Sequence, residues 1–264
     1  MRSLLFINLG NSICCSGYGY GLYRTLYIFC CQIIARIFHP ITFFFIFEFK
    51  KVKETKLSFE KIFIYLFFLG FFLAGGNIFQ QVSLLYTDVA NSAVFTVLYV
   101  VIVPIIAYFL FSKKIHNSVW PSVLMCLVGG LFLSELGNLR VRFGDSLVVV
   151  GAFFWAFHIV FISKFLKIFN YPITIATFQC LSASLISFIP AFSSEFISLK
   201  LISMETAELI YAGVLSSGIA FMLQVFGQQN LSPAPVAIIF SLEGVFGSIA
   251  ASVSYTHLTL PTKA

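Results

Sequence analysis

The sequence predicts an all-α, polytopic helical membrane protein built as an inverted repeat of five-helix units. Three observations predict this fold: the composition, a series of long apolar segments, and one segment that occurs twice. Hydrophobic residues make up 59% of the 264 residues and charged residues only 10%, with a mean hydropathy of +0.99. A soluble domain carries about 25% charged residues. This chain has more apolar surface than an aqueous core can bury, so we expect lipid around it.

The apolar segments define the predicted helices in chain order. Segment 4–31 is interrupted by glycines and by Arg24, so we expect an irregular first helix. A second span is predicted at 28–47, and a lysine-rich loop follows at 50–61. The clearer spans have about the 17–25 residues that cross a bilayer, and they lie at 62–85, 92–111, 119–133, 146–162, 173–192, 208–228 and 234–252. Short connections predict that neighbouring spans pack antiparallel.

Charged residues in the loops predict the orientation of these spans. Loop 50–61 contains five lysines, whereas the next loop contains Asp88 and neither lysine nor arginine. When alternate loops are grouped, one side carries nine basic residues and the other carries three. Because positively charged loops stay in the cytoplasm, we expect the lysine-rich side there. This asymmetry also accounts for the net charge of +6.

The repeated segment covers residues 65–107 and returns 144 positions later at 209–251. At this offset Gln80 matches Gln224, Leu98 matches Leu242 and Val101 matches Val245. A glutamine in the middle of an apolar helix is rare, so the paired glutamines carry more weight than paired aliphatic residues. The first copy enters from the lysine-rich side and the second from the opposite side. The two copies should therefore run antiparallel, which is the architecture that supports alternating access.

The repeat predicts the domain organisation. We assign residues 1–135 to a first repeat, residues 144–252 to a second repeat, and residues 253–264 to a non-native tail. The tail is expected from the polar stretch SYTHLTLPTKA at 254–264. Span 119–133 should have a partner near 263–277, beyond the last residue, so we expect one helix of ten to be missing.

Three segments together resemble a known family: 90–104 (ANSAVFTVLYVVIVP), 144–164 (GDSLVVVGAFFWAFHIVFISK) and 214–247 (VLSSGIAFMLQVFGQQNLSPAPVAIIFSLEGVFG). They are similar to the EamA-type permeases of the drug/metabolite transporter superfamily, over about residues 36–252. The resemblance implies two inverted five-helix halves, a central substrate cavity, and export or import of a small organic metabolite across the bacterial inner membrane. One departure is Gly244, where the family commonly has a proline after the Leu-Glu pair.

Two other functions remain open from the sequence. A chain without its last helix could be a non-transporting or inactive membrane fragment. An intramembrane enzyme would need convergent groups such as paired aspartates, HExxH, or GxSxG with a histidine. The sequence contains none of these arrangements, so we predict no catalytic residues.

The paired glutamines are the first candidates for a substrate cavity. Gln80 and Gln224 could face each other across the pseudo-two-fold axis and offer hydrogen-bond donors and acceptors. Asn77 shares the helical face of Gln80 and would extend this polar stripe. The alternative is an interhelical bond with a purely structural role, worth roughly 1–2 kcal/mol.

The remaining candidates lie on other spans. Trp155 and His158 are spaced i, i+3 and share a helical face, so they could stack on and hydrogen-bond to an organic solute, or simply fill space. Gln179 and Tyr99 are similar candidates. Glu243 is an acid within an apolar span, where a carboxylate is costly unless it is paired or hydrated. It could face the cavity, couple protons, or hold two helix ends together.

The composition also indicates partners and cofactors. The six cysteines form no CxxC motif and have no histidine at ligand spacing, so we predict no metal and no cofactor. The basic residues are scattered between apolar spans, which argues against nucleic acid as a partner. The expected partners are a small-molecule solute and membrane lipid, and a homodimer is left open.

Overall fold

The structure is a computed structural model, and it describes residues 41, 44–53, 59–87, 89–111, 116–133, 142–194 and 218–242. Within these residues all regular secondary structure is helical. The predicted all-α class is confirmed for this part of the chain. Predicted span 4–31, most of span 28–47, and the outer parts of spans 208–228 and 234–252 lie outside the described residues.

The helices follow one another through short connections. A π-helical turn at Phe44–Glu48 precedes α1 (Phe49–Lys53), α2 (Phe59–Ser83), α3 (Val89–Thr96), α4 (Tyr99–Phe111), α5 (Val119–Leu133), α6 (Phe143–Ile168), α7 (Pro172–Ser194), α8 (Ala220–Gln228) and α9 (Pro233–Leu242). The segments long and apolar enough to cross a membrane are Glu60–Ser83, Val94–Phe111, Phe143–Ile168 and Pro172–Ile189. They agree with the predicted spans 62–85, 92–111, 146–162 and 173–192.

The predicted span 92–111 is not one regular helix. The backbone tightens between α3 and α4, where the amide of Leu98 bonds to the Phe95 carbonyl and the amide of Val100 to that of Val97. These bonds reach three residues back instead of four, as in a 3₁₀ turn. The Thr96 hydroxyl also donates to the Ser92 carbonyl at 2.7 Å. Such a bond competes with the helical ladder and loosens it at this point.

Helix α6 lies at the centre of the bundle, and α2 packs against it along its whole length. An added Cβ at Gly144, the second residue of α6, would lie 2.7 Å from the Ser83 carbonyl at the end of α2. At the other end, the rings of Tyr65 and Phe165 stack with centroids 5.2 Å apart. The start of α2 therefore lies beside the end of α6, and the two helices run antiparallel.

Helix α7 packs on the other side of α2. Gly70 of α2 lies directly against Ser182 of α7, and its Cβ, if present, would be 2.9 Å from the Ala183 amide nitrogen. Earlier residues of the two helices, Ile62 and Ile175, belong to one apolar cluster. Because early residues meet early residues and later residues meet later ones, α2 and α7 run parallel.

Helix α8 runs in the same direction as α6. Its first turn contacts the middle of α6, where the rings of Phe221 and Trp155 stack. Its last residue contacts a later turn of α6, where the Ser163 hydroxyl donates to Oε1 of Gln228 at 3.2 Å. Since α6 is antiparallel to α2, α8 is also antiparallel to α2. The predicted opposite orientation of the two glutamine-bearing helices is confirmed.

The charged residues lie at the two ends of the bundle. Lys61 is in the first turn of α2 and lies at the same end as Lys164 and Lys167, which are in the last turns of α6. Lys167 also places its Nζ atom 4.3 Å from the ring centroid of Phe111, at the end of α4. Arg142, before α6, lies at the opposite end. The structure therefore gathers these three lysines at one end, as the alternation of loop charges predicts.

The outer surface of the bundle is apolar. Along α2, Leu66 and Leu69 are buried whereas Phe63, Phe67 and Phe71 are each more than 40% exposed. Large exposed apolar side chains of this kind recur on α4 to α7. A surface of this size would be unfavourable in water and fits a hydrocarbon environment.

Candidate functional site

Four helices meet at the middle of α6. Trp155 is 7% exposed, and its indole lies against Gly76 of α2. A Cβ at position 76 would lie 3.0 Å from the indole Nε1 atom. This contact is closer than nearly all real Cβ contacts, so the large ring fits here because residue 76 is a glycine.

One turn further along α6, a hydrogen bond links α6 to α7. Nε2 of His158 lies 3.1 Å from Oε1 of Gln179, and both side chains are fully buried. A carboxamide oxygen only accepts hydrogen bonds, so the imidazole donates from Nε2. The two candidates that the sequence placed on separate spans therefore form one polar pair.

Helix α8 closes the cluster with an aromatic ring. Phe221 stacks on Trp155 with centroids 6.3 Å apart and an interplanar angle of 9°. It also meets the imidazole of His158 edge-on at 6.3 Å. Offset stacked and edge-to-face contacts are the favourable geometries for aromatic rings. We call Gly76, Trp155, His158, Gln179 and Phe221 the central cluster.

Three polar atoms of the central cluster have no hydrogen-bond partner among the described residues: Nε1 of Trp155, Nδ1 of His158 and Nε2 of Gln179. Each side chain is more than nine-tenths buried. An unpaired buried polar group costs about 1–3 kcal/mol of stability. Proteins therefore rarely keep three such groups in side chains of one cluster unless they have a function.

The central cluster contains little charge. On α2, α6, α7 and α8, the aspartates, glutamates, lysines and arginines lie only in the end turns, so His158 is the one ionisable member of the cluster. The carboxylate of Asp145 accepts from the Thr87 hydroxyl and from the Arg142 amide, at the start of α6. In the described part of the chain no group of three or more histidines, cysteines, aspartates and glutamates could hold a metal.

Two predicted cavity residues lie on α2 near this cluster. Asn77 is buried and donates from Nδ2 to the Leu73 carbonyl of its own helix at 2.7 Å. Gln80 is buried one turn later, where Nε2 lies 3.5 Å from the Thr96 hydroxyl and Oε1 has no partner among the described residues. Asn77 and Gln80 thus form a polar face of α2. The Asn77 side chain, however, already donates a hydrogen bond to a backbone carbonyl of its own helix.

Tyr99, Gln224 and Glu243 complete the predicted set. Tyr99 is buried in the apolar cluster that also contains Trp155 and Phe221. Gln224 is half-buried on α8, one turn after Phe221. Glu243 lies outside the described residues.

The structure does not bring the paired glutamines together. Gln80 lies at the level of Gly151 of α6. Gln224 lies between Phe221, which contacts Trp155, and Gln228, which contacts Ser163, and so lies near the level of His158. At 1.5 Å of rise per residue, these levels are roughly 11 Å apart along α6. The glutamines lie above and below Trp155, so they do not face each other.

Two members of the central cluster were not predicted as site residues. Gly76 was not selected because glycines in membrane helices commonly serve close packing. Phe221 is one of many phenylalanines in the sequence, but its spacing offered a signal. It lies three residues before Gln224, and the side chains of Phe221, Val225 and Gln228 form the buried face of α8 at i, i+4 and i+7.

Comparison with known proteins identifies the second part of the chain. Residues 142–259 match the EamA-like transporter family, and this stretch includes Trp155, His158, Gln179 and Phe221. The predicted resemblance to EamA-type permeases is confirmed, and with the apolar spans it identifies a multi-pass membrane protein.

Similarity extends beyond the EamA domain. An uncharacterized transporter of Archaeoglobus fulgidus is 28% identical over 190 residues, which are 71% of this chain. The chain spans 60% of the length of that relative. A crystal structure of another protein superposes with a TM-score of 0.69 at 16% identity, covering 92% of this chain and 83% of the other. This likeness shows that the two chains share a fold.

Proposed function

We propose that the protein is a secondary transporter that carries a small organic solute across the bacterial inner membrane by alternating access. The observation that carries this proposal is the set of unpaired buried atoms in the central cluster. Such atoms indicate a binding site that is incomplete without a ligand. The match of residues 142–259 to the EamA-like transporter family supports a transport role.

The central cluster is suitably located for alternating access. Gly76 comes from α2, in the proposed first repeat (residues 1–135), whereas the other four members come from the proposed second repeat (residues 144–252). A solute held between two repeats can be exposed to either side when one repeat rocks against the other. The opposite directions of α2 and α8 support an inverted relationship between these repeats.

The solute would supply hydrogen-bond partners for buried polar atoms of the central cluster. In the central cluster, Trp155 Nε1, His158 Nδ1 and Gln179 Nε2 lack partners among the described residues. A bound solute pairs with them, and this stabilises the state in which it is enclosed by about 1 kcal/mol per bond. Release to the other side follows when water replaces these partners.

The sidedness of the transporter follows from its charges. Lys61, Lys164 and Lys167 lie at one end of the bundle, and we assign this end to the cytoplasm. The opposite end, with Arg142 and Asp145, then faces the periplasm. The central cluster lies between the two ends, near the middle of α6 (Phe143–Ile168).

Solute counterflow in proteoliposomes tests the proposal. Vesicles containing the protein are loaded with one unlabelled metabolite of a panel and diluted into its radiolabelled form. We expect transient accumulation of label for at least one metabolite, above that in protein-free vesicles, and its loss in the His158→Leu/Gln179→Leu variant. Absence of counterflow for every neutral, anionic and cationic metabolite tested would support a non-transporting fragment instead.

A further inference from the structure

We infer that the central cluster selects an uncharged planar solute with a hydrogen-bond acceptor beside a hydrogen-bond donor, as in a carboxamide on an aromatic ring. The inference rests on the proposed transport function and adds the chemical class of the solute. It is carried by three properties of the cluster: its unpaired donors and acceptor, its parallel rings, and its lack of fixed charge.

The first property is the pattern of unpaired atoms. Because Nε2 of His158 donates to Gln179, Nδ1 of a neutral imidazole is an acceptor, and Nε2 of Gln179 is a donor. If the amide is turned round, Gln179 donates to His158 and leaves its own oxygen as the acceptor and Nδ1–H as the donor. In either orientation the pair offers one donor and one acceptor. Nε1 of Trp155 adds a second donor.

A carboxamide edge matches this pattern. Its carbonyl oxygen has two lone pairs and can accept from Trp155 and from the His158–Gln179 pair. Its NH₂ group can donate to the unpaired acceptor of the same pair. A ligand with acceptors only, such as a carboxylate, would leave that acceptor unpaired, at a cost of about 1–3 kcal/mol.

The second property is the aromatic framework. The Trp155 and Phe221 rings are inclined by only 9°, and the imidazole of His158 stands nearly perpendicular to both, at 79° and 87°. The two rings stack on each other, so a flat apolar body would extend this stack at an outer ring face, a geometry that favours it over a branched aliphatic body.

The third property is the lack of fixed charge on the described helices that form the cluster. The middle turns of α2, α6, α7 and α8 carry no aspartate, glutamate, lysine or arginine. A charged solute would enter without a partner of opposite charge from these helices, and an unpaired ion in such surroundings costs several kcal/mol. An uncharged solute avoids this penalty.

Tryptophan fluorescence gives a direct test. The chain has two tryptophans, Trp155 in the cluster and Trp120, which is 43% exposed on α5. In the full-length Trp120→Phe variant, emission therefore reports on Trp155 alone. The probes are nicotinamide, nicotinate and 1-methylnicotinamide, which share one ring but are respectively neutral, anionic and cationic at pH 7.

We expect nicotinamide to change the Trp155 emission saturably, with the two charged probes binding at least about tenfold more weakly, a difference of about 1.4 kcal/mol. Gln179→Leu should weaken nicotinamide binding by at least about tenfold. The matched substitution Gln229→Leu, at a half-buried position whose side chain donates to exposed Asn170, should leave it unchanged. Thermal unfolding of each variant verifies that it is folded.

Other results would overturn the inference. Equal or tighter binding of nicotinate or 1-methylnicotinamide contradicts a preference for uncharged solutes, while transport still stands if counterflow occurs. No response of Trp155 to any probe, in a protein that performs counterflow, also contradicts it. If nicotinamide binds as expected but no solute shows counterflow, the binding specificity stands and the transport function fails.

Discussion

The Nε2 atom of His158 lies 3.1 Å from the Oε1 atom of Gln179, and both side chains are completely buried. This bond fixes α6 to α7 beside the indole of Trp155. Each partner has a further nitrogen without a partner among the described residues. The pair therefore links the two helices, and we propose that a solute completes its unpaired polar edge.

Single and double substitutions should measure how much the bond between His158 and Gln179 stabilises the fold. His158→Leu or Gln179→Leu leaves the other partner buried and unpaired, so each should lower the free energy of unfolding by about 1–3 kcal/mol. The double variant removes both polar groups and should be less destabilised than the sum of the single variants. Thermal unfolding in detergent measures the stabilities. Additive losses would contradict the direct bond.

Replacing Gly70 should weaken the contact between α2 and α7. A Cβ at this position would overlap Ser182 and approach the Ala183 backbone nitrogen to 2.9 Å, and backbone cannot move aside as a flexible side chain can. We expect Gly70→Ala to cost about 1–3 kcal/mol of stability, as overpacked interiors do.

Gly129 of α5 provides the matched control, because nothing lies within 4 Å of its added Cβ. Gly129→Ala should leave the melting temperature unchanged or raise it, since alanine is the better helix former by about 1 kcal/mol. Equal melting temperatures for Gly70→Ala and Gly129→Ala would contradict the close packing of α2 on α7.

Glu48 should stabilise the start of α7. Its carboxylate accepts from the Ile173 amide at 3.2 Å, from the Thr174 amide at 2.7 Å and from the Thr174 hydroxyl at 2.6 Å. A buried carboxylate at a helix N-terminus satisfies free amides and complements the helix dipole. Glu48→Gln should therefore lower stability by about 1–3 kcal/mol.

The control for this change is Glu60→Gln, which alters an exposed residue in the first turn of α2. Exposed charges contribute little, so we expect a change below about 0.5 kcal/mol. Comparison of the melting temperatures of the two variants shows whether the Glu48 carboxylate caps α7. A smaller loss in Glu48→Gln than in Glu60→Gln would show that the carboxylate does not cap α7.

Cysteine labelling should reveal which end of the bundle faces the cytoplasm. In a background without the native cysteines, Arg142→Cys should react with a membrane-impermeant maleimide in intact cells. Lys167→Cys should react only after the cells are permeabilised, because we assign the lysine-rich end to the cytoplasm. The reverse result would invert the assigned orientation.

Much of the fold could be predicted because lipid imposes simple requirements on a chain. The hydrocarbon sets the length of a span, so the predicted bounds 62–85 and 173–192 lie within a few residues of α2 and α7. The number of spans predicted between the two copies of the repeat gave the relative direction of α2 and α8. Neither inference required knowledge of side-chain contacts.

The central cluster could be predicted only in part. Trp155 and His158 share a helical face by their spacing, so local geometry sufficed for this pair. The bond from His158 to Gln179 depends on how α6 and α7 are rotated about their axes, which tertiary packing decides. The separation of Gln80 from Gln224 has the same origin, because equivalent positions in antiparallel helices lie at mirrored depths and need not meet.

Chemical cross-linking in native membranes tests the central claim, that α2 and α8 run in opposite directions, most directly. Cysteines at Ser163 and Gln228, whose side chains are hydrogen-bonded, and at Phe72 and Phe157, whose rings stack 5.2 Å apart, report on the two helix pairs. A short bifunctional methanethiosulfonate should link both pairs efficiently. Ser163→Cys with Phe221→Cys should not be linked, because Phe221 lies two turns of α8, about 10 Å, away from Gln228. Linkage of Ser163 to Phe221 in place of Gln228 would reverse α8 and contradict the inverted architecture.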